Sequence, residues 1–270
     1  MEKISAYIIA YNEEYKIAKA VSTVTWADEV IVADSYSTDR TAEIAEKHGA
    51  RVIQIPFEGF GKLRNRAIEA CQYDWIFSLD SDERCTPEAR DEIRRIISSP
   101  DALDAYHVPR KNWFMGRWIR HSHWFPDYRQ PQLFRSGKMK YTEDPVHEGF
   151  ELSGRLGYLH NAIWQIPFGE LSEIVAKANR YSSLGVEKLE ARGVKDSMTK
   201  ALSHGLWAFF RSYCLELGIL DGWPGFVIAF GNFEGTFYRY SKLVEARRGW
   251  KHPEIPPFPT KSGQRQSRHH

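Results

Sequence analysis

The feature that most constrains this chain is a regular alternation of apolar strand-like runs with helical patterns. It fills the first 80 residues and ends in Asp80-Ser81-Asp82. Residues 4–10, 29–34, 51–55 and 74–79 read as strands. Residues 13–24, 38–48 and 62–71 carry the apolar spacing of helices, the second stopped by Gly49. Such alternation predicts parallel βαβ units with right-handed crossovers. Runs such as Trp75-Ile76-Phe77, apolar at every position, suit a sheet covered on both faces.

Composition narrows the class. At 270 residues the chain sits near the length where single cores stop growing, so one main domain with an appendage is expected. A hydrophobic share of 42% with 27% charged residues excludes wholesale disorder. A net charge of only +2 argues against a nucleic-acid-coating protein, so no nucleic-acid partner is expected. Cys71, Cys85 and Cys214 form no CxxC pair, which fits a reduced, cytoplasmic protein. Met1-Glu2-Lys3-Ile4 leads straight into the first strand pattern, without a signal core. No window approaches the roughly 18 apolar residues that span a bilayer.

Beyond residue 100 the pattern changes. Residues 106–147 are irregular and dense in aromatics and cations. Residues 171–189 read as a helix, and 197–248 are helical again with a break at Asp221-Gly222-Trp223-Pro224-Gly225. From 251 onward the chain is proline-rich and polar. The expected division is an α/β nucleotide-binding domain at 1–165, a helical extension at 166–250 and a tail at 251–270. Residues 1–150 carry 21 Lys and Arg against 24 Asp and Glu, a net of −3, whereas 151–270 carry 16 against 11, a net of +5. A mildly basic, aromatic helical end suits peripheral contact with an anionic membrane face or with a second copy; an ordinary packed subdomain is the plainer alternative.

In open α/β sheets ligands sit beyond the carboxyl ends of the strands, so Asp80 and Asp82 should face a site. Two Asp with one residue between them can share a hard divalent cation, Mg²⁺ or Mn²⁺, together with the phosphates it bridges. Asp-x-Asp alone is common; after an apolar strand and three βα units it is far more specific. Two other strand ends, Tyr11-Asn12-Glu13-Glu14 and Asp34-Ser35-Tyr36-Ser37-Thr38-Asp39, point to the same edge. Each has a plain reading, with Asn12 and Thr38 or Asp39 as helix N-caps. Jointly with 80–82 they read as a nucleotide site, where Glu13 and Asp34 meet base and ribose.

These three segments together resemble the signatures of family 2 glycosyltransferases of the GT-A fold. Asn112-Trp113-Phe114-Met115-Gly116-Arg117-Trp118-Ile119, Val146-His147-Glu148, Gly157-Tyr158-Leu159, Asn179-Arg180-Tyr181-Ser182 and Tyr240-Ser241-Lys242-Leu243 are similar to the bacterial branch that includes lipopolysaccharide-core β-glycosyltransferases. The resemblance covers roughly residues 4–248. It implies an α/β GT-A sheet with a helical C-terminal extension. It also implies inverting transfer of a sugar from a nucleotide-sugar, with uridine diphosphate as the family default, to a glycolipid or glycan hydroxyl. Carried over by residue, it makes Tyr11, Asn12, Glu13, Asp34, Arg64, Asp80 and Ser81 nucleotide contacts. Asp82 becomes the principal metal ligand, with Asp80 beside it.

The reaction also needs a base for the acceptor hydroxyl, and a carboxylate with a raised pKa suits it. Candidates lie in 142–148; the resemblance favours Glu148, with Asp144 as runner-up and His147 as a metal or phosphate contact. One departure stands out: Gln165 occupies a position where relatives often show a His that completes the metal shell. Trp113, Trp118, Trp124, Phe125 and Tyr128, interleaved with Arg110, Lys111, Arg117, Arg120 and Arg129, suit an anionic glycolipid acceptor, since aromatic faces stack on sugars and Arg grips oxyanions. The competing readings are a non-catalytic nucleotide-sugar-binding protein and a nucleotidyltransferase. The latter should carry a Gly-rich phosphate loop after the first strand, and Tyr11-Asn12-Glu13-Glu14 is not one.

Overall fold

The computed structural model describes residues 2–143, 149–195 and 197–250. The N-terminal half runs β1 (Ile4–Ala10), α1 (Ile17–Ser22), β2 (Glu29–Asp34), α2 (Thr41–Lys47), β3 (Arg51–Gln54), α3 (Phe60–Glu69), β4 (Trp75–Asp80), β5 (Glu83–Arg84) and α4 (Pro87–Ile97). There follow β6 (Ala105–His107), β7 (Arg110–Phe114), β8 (Arg117–Trp118), β9 (Leu133–Arg135), β10 (Met139–Tyr141), β11 (Phe150–Leu152), β12 (Leu156–Tyr158) and β13 (Ile163–Gln165). The chain ends in α5 (Leu171–Ala191), α6 (Met198–Phe210), a π turn (Arg211–Leu215), a 3₁₀ turn (Gly218–Asp221) and α7 (Trp223–Arg248).

The central seven-stranded sheet has the order β12-β6-β9-β4-β1-β2-β3. β4, β1, β2 and β3 are parallel, and β9 runs antiparallel to both β4 and β6. This is the α/β arrangement expected of a GT-A chain. Alternation along each strand feeds two cores. Ile4, Ala6 and Ile8 pack with Trp75, Phe77 and Leu79 under α1 and α4; Tyr7, Ile9, Ile31 and Ile76 pack with Leu63 and Ala67 of α3. Each such fully buried aliphatic or aromatic side chain contributes about 1.5–3 kcal/mol. That is why these strands show no polar face.

A second sheet, β5-β13-β7-β8, stands beside the first. Its strands hold two to five residues, too few to register as periodic runs. α4 starts cleanly: Thr86 Oγ1 accepts from the Ala89 N–H (3.1 Å), and Pro87 fills the first helical turn.

The helical unit is α5, α6 and α7 packed together, with Gly205 of α6 close against Phe233 and Phe237. It joins the second sheet through Ile228, which packs on Phe114 and Ile119. Asp221 completes the join. Its buried carboxylate accepts from the backbone N–H groups of Arg120 (3.2 Å) and His121 (2.9 Å). Among the described residues no helix is long and apolar enough to cross a membrane.

Two helices are shorter than their patterns: α2 fills only Thr41–Lys47 of the expected 38–48, and α1 starts late. Residues 13–24 carry helical spacing, yet α1 begins only at Ile17. The Glu13 and Glu14 N–H groups are taken by Thr41 Oγ1 (2.7 Å) and Asp39 Oδ2 (3.1 Å), which ties this turn to the next βα loop.

Candidate active site

Strand register assembles the site. Ala10 pairs with Asp34 and Ile9 with Asp80, so the two acids flank the carboxyl end of β1. The two loops that follow are bound to each other. Asn12 Oδ1 accepts from the Thr38 N–H (2.8 Å), and the Asn12 N–H donates to Ser37 Oγ (2.8 Å). The N-cap reading of Asn12 and Thr38 gives way here, because their polar groups serve this link instead of a helix end. Asp39 does act locally, its Oδ1 accepting from the Thr41 N–H (3.0 Å). Asn12 and Tyr36 hold left-handed backbone angles (φ 53° and 57°), uncommon for non-glycine residues and frequent at binding loops.

Asp34 is fully buried and accepts from the Ser37 N–H (2.9 Å) and hydroxyl, which fixes the loop beside it. Glu13 forms an ion pair with Lys16 (3.5 Å). Tyr11 lies exposed at the rim, and Ser81 is buried with its carbonyl held by Arg84 (2.8 Å).

Arg64 reaches up from α3. Its guanidinium donates to Asp80 Oδ1 (2.8 Å) and lies 5.4 Å from the Tyr141 ring centre. Burial alone would lower its pKa, but the negative charge of Asp80 holds it raised. Burial likewise favours a protonated Asp80, and Arg64, then Arg110, outweigh it and keep the carboxyl below the usual range. Asp82 behaves oppositely. Burial, then the charges of Glu83 and Asp80, push it up to about 7. The two acids of the triplet are therefore inequivalent: one neutralised by arginine, the other short of positive charge.

Beneath them sits a buried frame that local patterning does not reveal. Glu83 and Arg110, both essentially without exposure, form an ion pair at 2.5 Å. Glu83 Oε2 accepts from the Asp80 N–H (2.9 Å) and from Gln132 Nε2 (2.8 Å), so this pair holds the turn that carries Asp80 and Asp82. Gln165 also joins the site. Pairing of β13 with β5 sets Gln165 opposite Glu83, and its Nε2 donates to Asp82 Oδ2 (3.0 Å). Its Oε1 accepts from Arg129 (3.3 Å). Gln165, at the position where the family resemblance leads one to expect a His, thus touches Asp82 as a hydrogen-bond donor. His160, nearby in sequence, turns instead to Glu92 on α4 (3.1 Å).

Asp144, His147 and Glu148 lie outside the described residues. The positions flanking that stretch are well fixed: Thr142 and Gly149 exchange backbone and hydroxyl bonds (3.0 and 2.9 Å), and Asn65, next to Arg64, holds both the N–H and the carbonyl of Tyr141 at 2.9 Å. Gly61 allows this approach, since a Cβ there would lie 2.0 Å from the Thr142 carbonyl oxygen.

A family model, glycosyl transferase family 2, matches residues 5–166. An uncharacterized glycosyltransferase of Rickettsia felis is 33% identical over 259 residues, 91% of each chain. The lipopolysaccharide core biosynthesis glycosyltransferase LpsC of Rhizobium meliloti is 26% identical over 252 residues, 88% of this chain and 93% of its own. Among solved structures, Staphylococcus aureus TarS aligns over 93% of both chains at 17% identity and a TM-score of 0.47. Glucosyl-3-phosphoglycerate synthase of Mycobacterium tuberculosis aligns at 26% identity and a TM-score of 0.37, over 41% of this chain and only 44% of its own. The matched span takes in every strand end described above, and the chain belongs to glycosyl transferase family 2.

Proposed function

We propose that the chain is an inverting hexosyltransferase using a nucleoside-diphosphate sugar, with uridine diphosphate as carrier. The acceptor is a hydroxyl of an anionic glycolipid or glycan, lipopolysaccharide core being the class that the likeness to LpsC supports. The observation that carries this reading is the convergence of Asp34, Asp80, Asp82 and Arg64 at the carboxyl ends of the parallel strands. Ligands bind at that edge in such sheets.

The donor set fits a divalent cation, Mg²⁺ or Mn²⁺. Asp82 Oδ1 has no hydrogen bond among the described residues, and the neighbouring acids leave Asp82 in need of positive charge. No cluster of three or more His, Cys, Asp or Glu able to hold a metal occurs among those residues. Mg²⁺ or Mn²⁺ is commonly held by only one or two carboxylates and completed by substrate phosphates, a demand that Asp82 with Asp80 beside it would meet. The ion would neutralise charge developing on the diphosphate as the sugar leaves.

The protein's own groups do the rest. Arg64 orients Asp80; the Asn12–Thr38 link and Asp34 shape the nucleotide cleft, with Tyr11, Glu13 and Ser81 at its edge. Glu148 takes the acceptor proton, with Asp144 the alternative base and His147 a further phosphate or metal contact.

In this reading residues 1–165 form the catalytic unit and 166–250 the extension that rests on the cytoplasmic face of a membrane. Support for that contact comes from Trp207, Phe210, Leu215, Leu217, Leu220 and Trp223, all exposed on one run of the helical unit. Pairing with a second copy is the other way to cover them.

Glu148→Gln tests the chemistry. It should cut transfer by about 10²–10⁴-fold while leaving uridine diphosphate binding intact. Unchanged turnover in Glu148→Gln, with full loss in Asp144→Asn, would assign the base to Asp144. Turnover unchanged in both contradicts the proposed base, and inversion is read from the anomeric configuration of the product.

A further inference from the structure

Beside Asp82, where the second sheet meets the helical unit, a cavity of about 290 Å³ is lined by residues including Asn112, Trp124, Asp127, Arg129, Phe168 and Lys177. We propose that this cavity receives the acceptor, and that Lys177, with Arg129 behind it, recognises an oxyanion (phosphate or carboxylate) carried on the acceptor sugar. The inference rests on the transferase reading above and assigns the substrate class of the same site.

Position is the first argument. Arg129 donates to Gln165 Oε1 (3.3 Å), and Gln165 donates to Asp82 Oδ2 (3.0 Å). The cavity wall is therefore two hydrogen bonds from the carboxylate that would face the donor diphosphate. An acceptor hydroxyl has to arrive from a neighbouring pocket of this kind, within reach of the sugar carbon.

Charge is the second. Asp127, the acid in the wall, is already shared: its oxygens accept from Arg129 (3.2 and 2.8 Å) and from Asn112 Nδ2 (3.1 Å). Lys177 has no hydrogen bond or ion-pair partner among the described residues; its amine lies 5.0 Å over the Phe168 ring and 5.7 Å over Tyr181. The packing around it, then the charge of Arg129, lower its pKa from the ordinary lysine value, against a weaker opposite pull from Asp82. Two cations thus converge on one cavity with a single acid between them already committed. An anion placed there would relieve their repulsion and gain charge-assisted hydrogen bonds.

Shape and setting agree. Trp124 and Phe168 supply aromatic faces of the kind that stack on sugars. The volume lies at the low end for small-molecule pockets, which suits one substituted sugar unit. Ser122 and His123, which also line the cavity, are bound to Glu216, at 2.9 Å through its carbonyl and 3.2 Å through its carboxylate. Glu216 adjoins the exposed Leu215 and Leu217, so a lipid-borne acceptor could keep its chain on the apolar run while its charged sugar enters the cavity.

Thermal melts of the full chain test the assignment, with millimolar glucose 6-phosphate, glucuronate, glucose or inorganic phosphate as probes. Each is run with and without uridine diphosphate and Mn²⁺. Glucose 6-phosphate or glucuronate should raise the melting temperature more than glucose or inorganic phosphate, and the increment should persist with uridine diphosphate and Mn²⁺ present. Lys177→Gln should weaken the apparent affinity about tenfold or more, and Lys177→Arg should retain it.

Three results overturn the proposal: no increment from either charged sugar, an increment equalled by inorganic phosphate, or one unchanged in Lys177→Gln. Abolition by uridine diphosphate and Mn²⁺ overturns it too, because the anion then occupies the diphosphate position. Melts with uridine diphosphate and Mn²⁺ alone separate the two readings. Stabilisation of both intact and Lys177→Gln chains upholds the donor site whatever the sugars do.

Discussion

Replacing Asp82 by asparagine should make the metal-free protein more stable at alkaline pH, although it removes a residue central to the proposed site. In the folded chain, burial and the charges of Glu83 and Asp80 raise this carboxyl from 3.8 to about 7. A carboxyl with a raised folded pKa contributes stability fully present below pH 3.8, which is lost as pH climbs towards 7 and the folded group is forced to ionise. The shift of about three units sets a ceiling near 4 kcal/mol at about 1.36 kcal/mol per unit. Water reaches this half-buried group, so screening reduces the expected effect to about 1–2 kcal/mol.

The asparagine side chain would not titrate, and its amide oxygen can still accept from Gln165. Urea unfolding in a chelator at pH 5 and pH 8 reads the difference. Relative to wild type, Asp82→Asn should gain about 1–2 kcal/mol between the two pH values. Added Mn²⁺ and uridine diphosphate should reverse the order at pH 8, stabilising wild type by about 2.7 kcal/mol at a hundredfold excess over Kd and the variant far less. A difference independent of pH, or a variant that loses ground as pH rises, would refute the electrostatic reasoning.

Other outcomes follow from particular contacts. Glu83→Ala leaves Arg110 buried without its partner and should cost about 3–5 kcal/mol, measured by urea unfolding at neutral pH. Gly61→Ala places a methyl against the Thr142 carbonyl and must push that backbone away. Transfer activity should fall at least tenfold while circular dichroism keeps its native shape. The double substitution Trp207→Ser and Leu220→Ser should abolish sedimentation with anionic vesicles and leave uridine diphosphate affinity unchanged.

The N-terminal sheet is legible in the sequence because its strands are buried on both faces, so Ile4–Ala10 and Glu29–Asp34 read as mostly apolar strands with the expected limits. The start of α1 is not legible, because the Glu13 and Glu14 amides are taken by side chains some 25–28 residues away in sequence. The second sheet escapes for a related reason: β5 and β8 contain two residues each and gain meaning only from pairing.

The acidic triplet is visible as a motif, but the inequivalence of its members depends on Arg64 from α3 and Glu83 from β5. Glu83 and Arg110 lie 27 residues apart, and no local pattern joins them. Gln165 draws notice in the sequence only through the family resemblance, and the β13–β5 register is what reveals that it touches Asp82. Lys177 sits on a helix that reads as an ordinary amphipathic segment, and its place beside Arg129 comes from tertiary packing alone.

The central claim, a metal-assisted nucleotide-sugar site at Asp82, is tested most directly by calorimetric titration of uridine diphosphate into the intact protein and into Asp82→Ala, with and without Mn²⁺. The account predicts binding to the intact chain that strengthens with Mn²⁺, and loss of that metal-dependent part in Asp82→Ala. Binding that ignores both the metal and the substitution would contradict it, as would no binding of uridine, guanosine or adenosine diphosphate under any of these conditions.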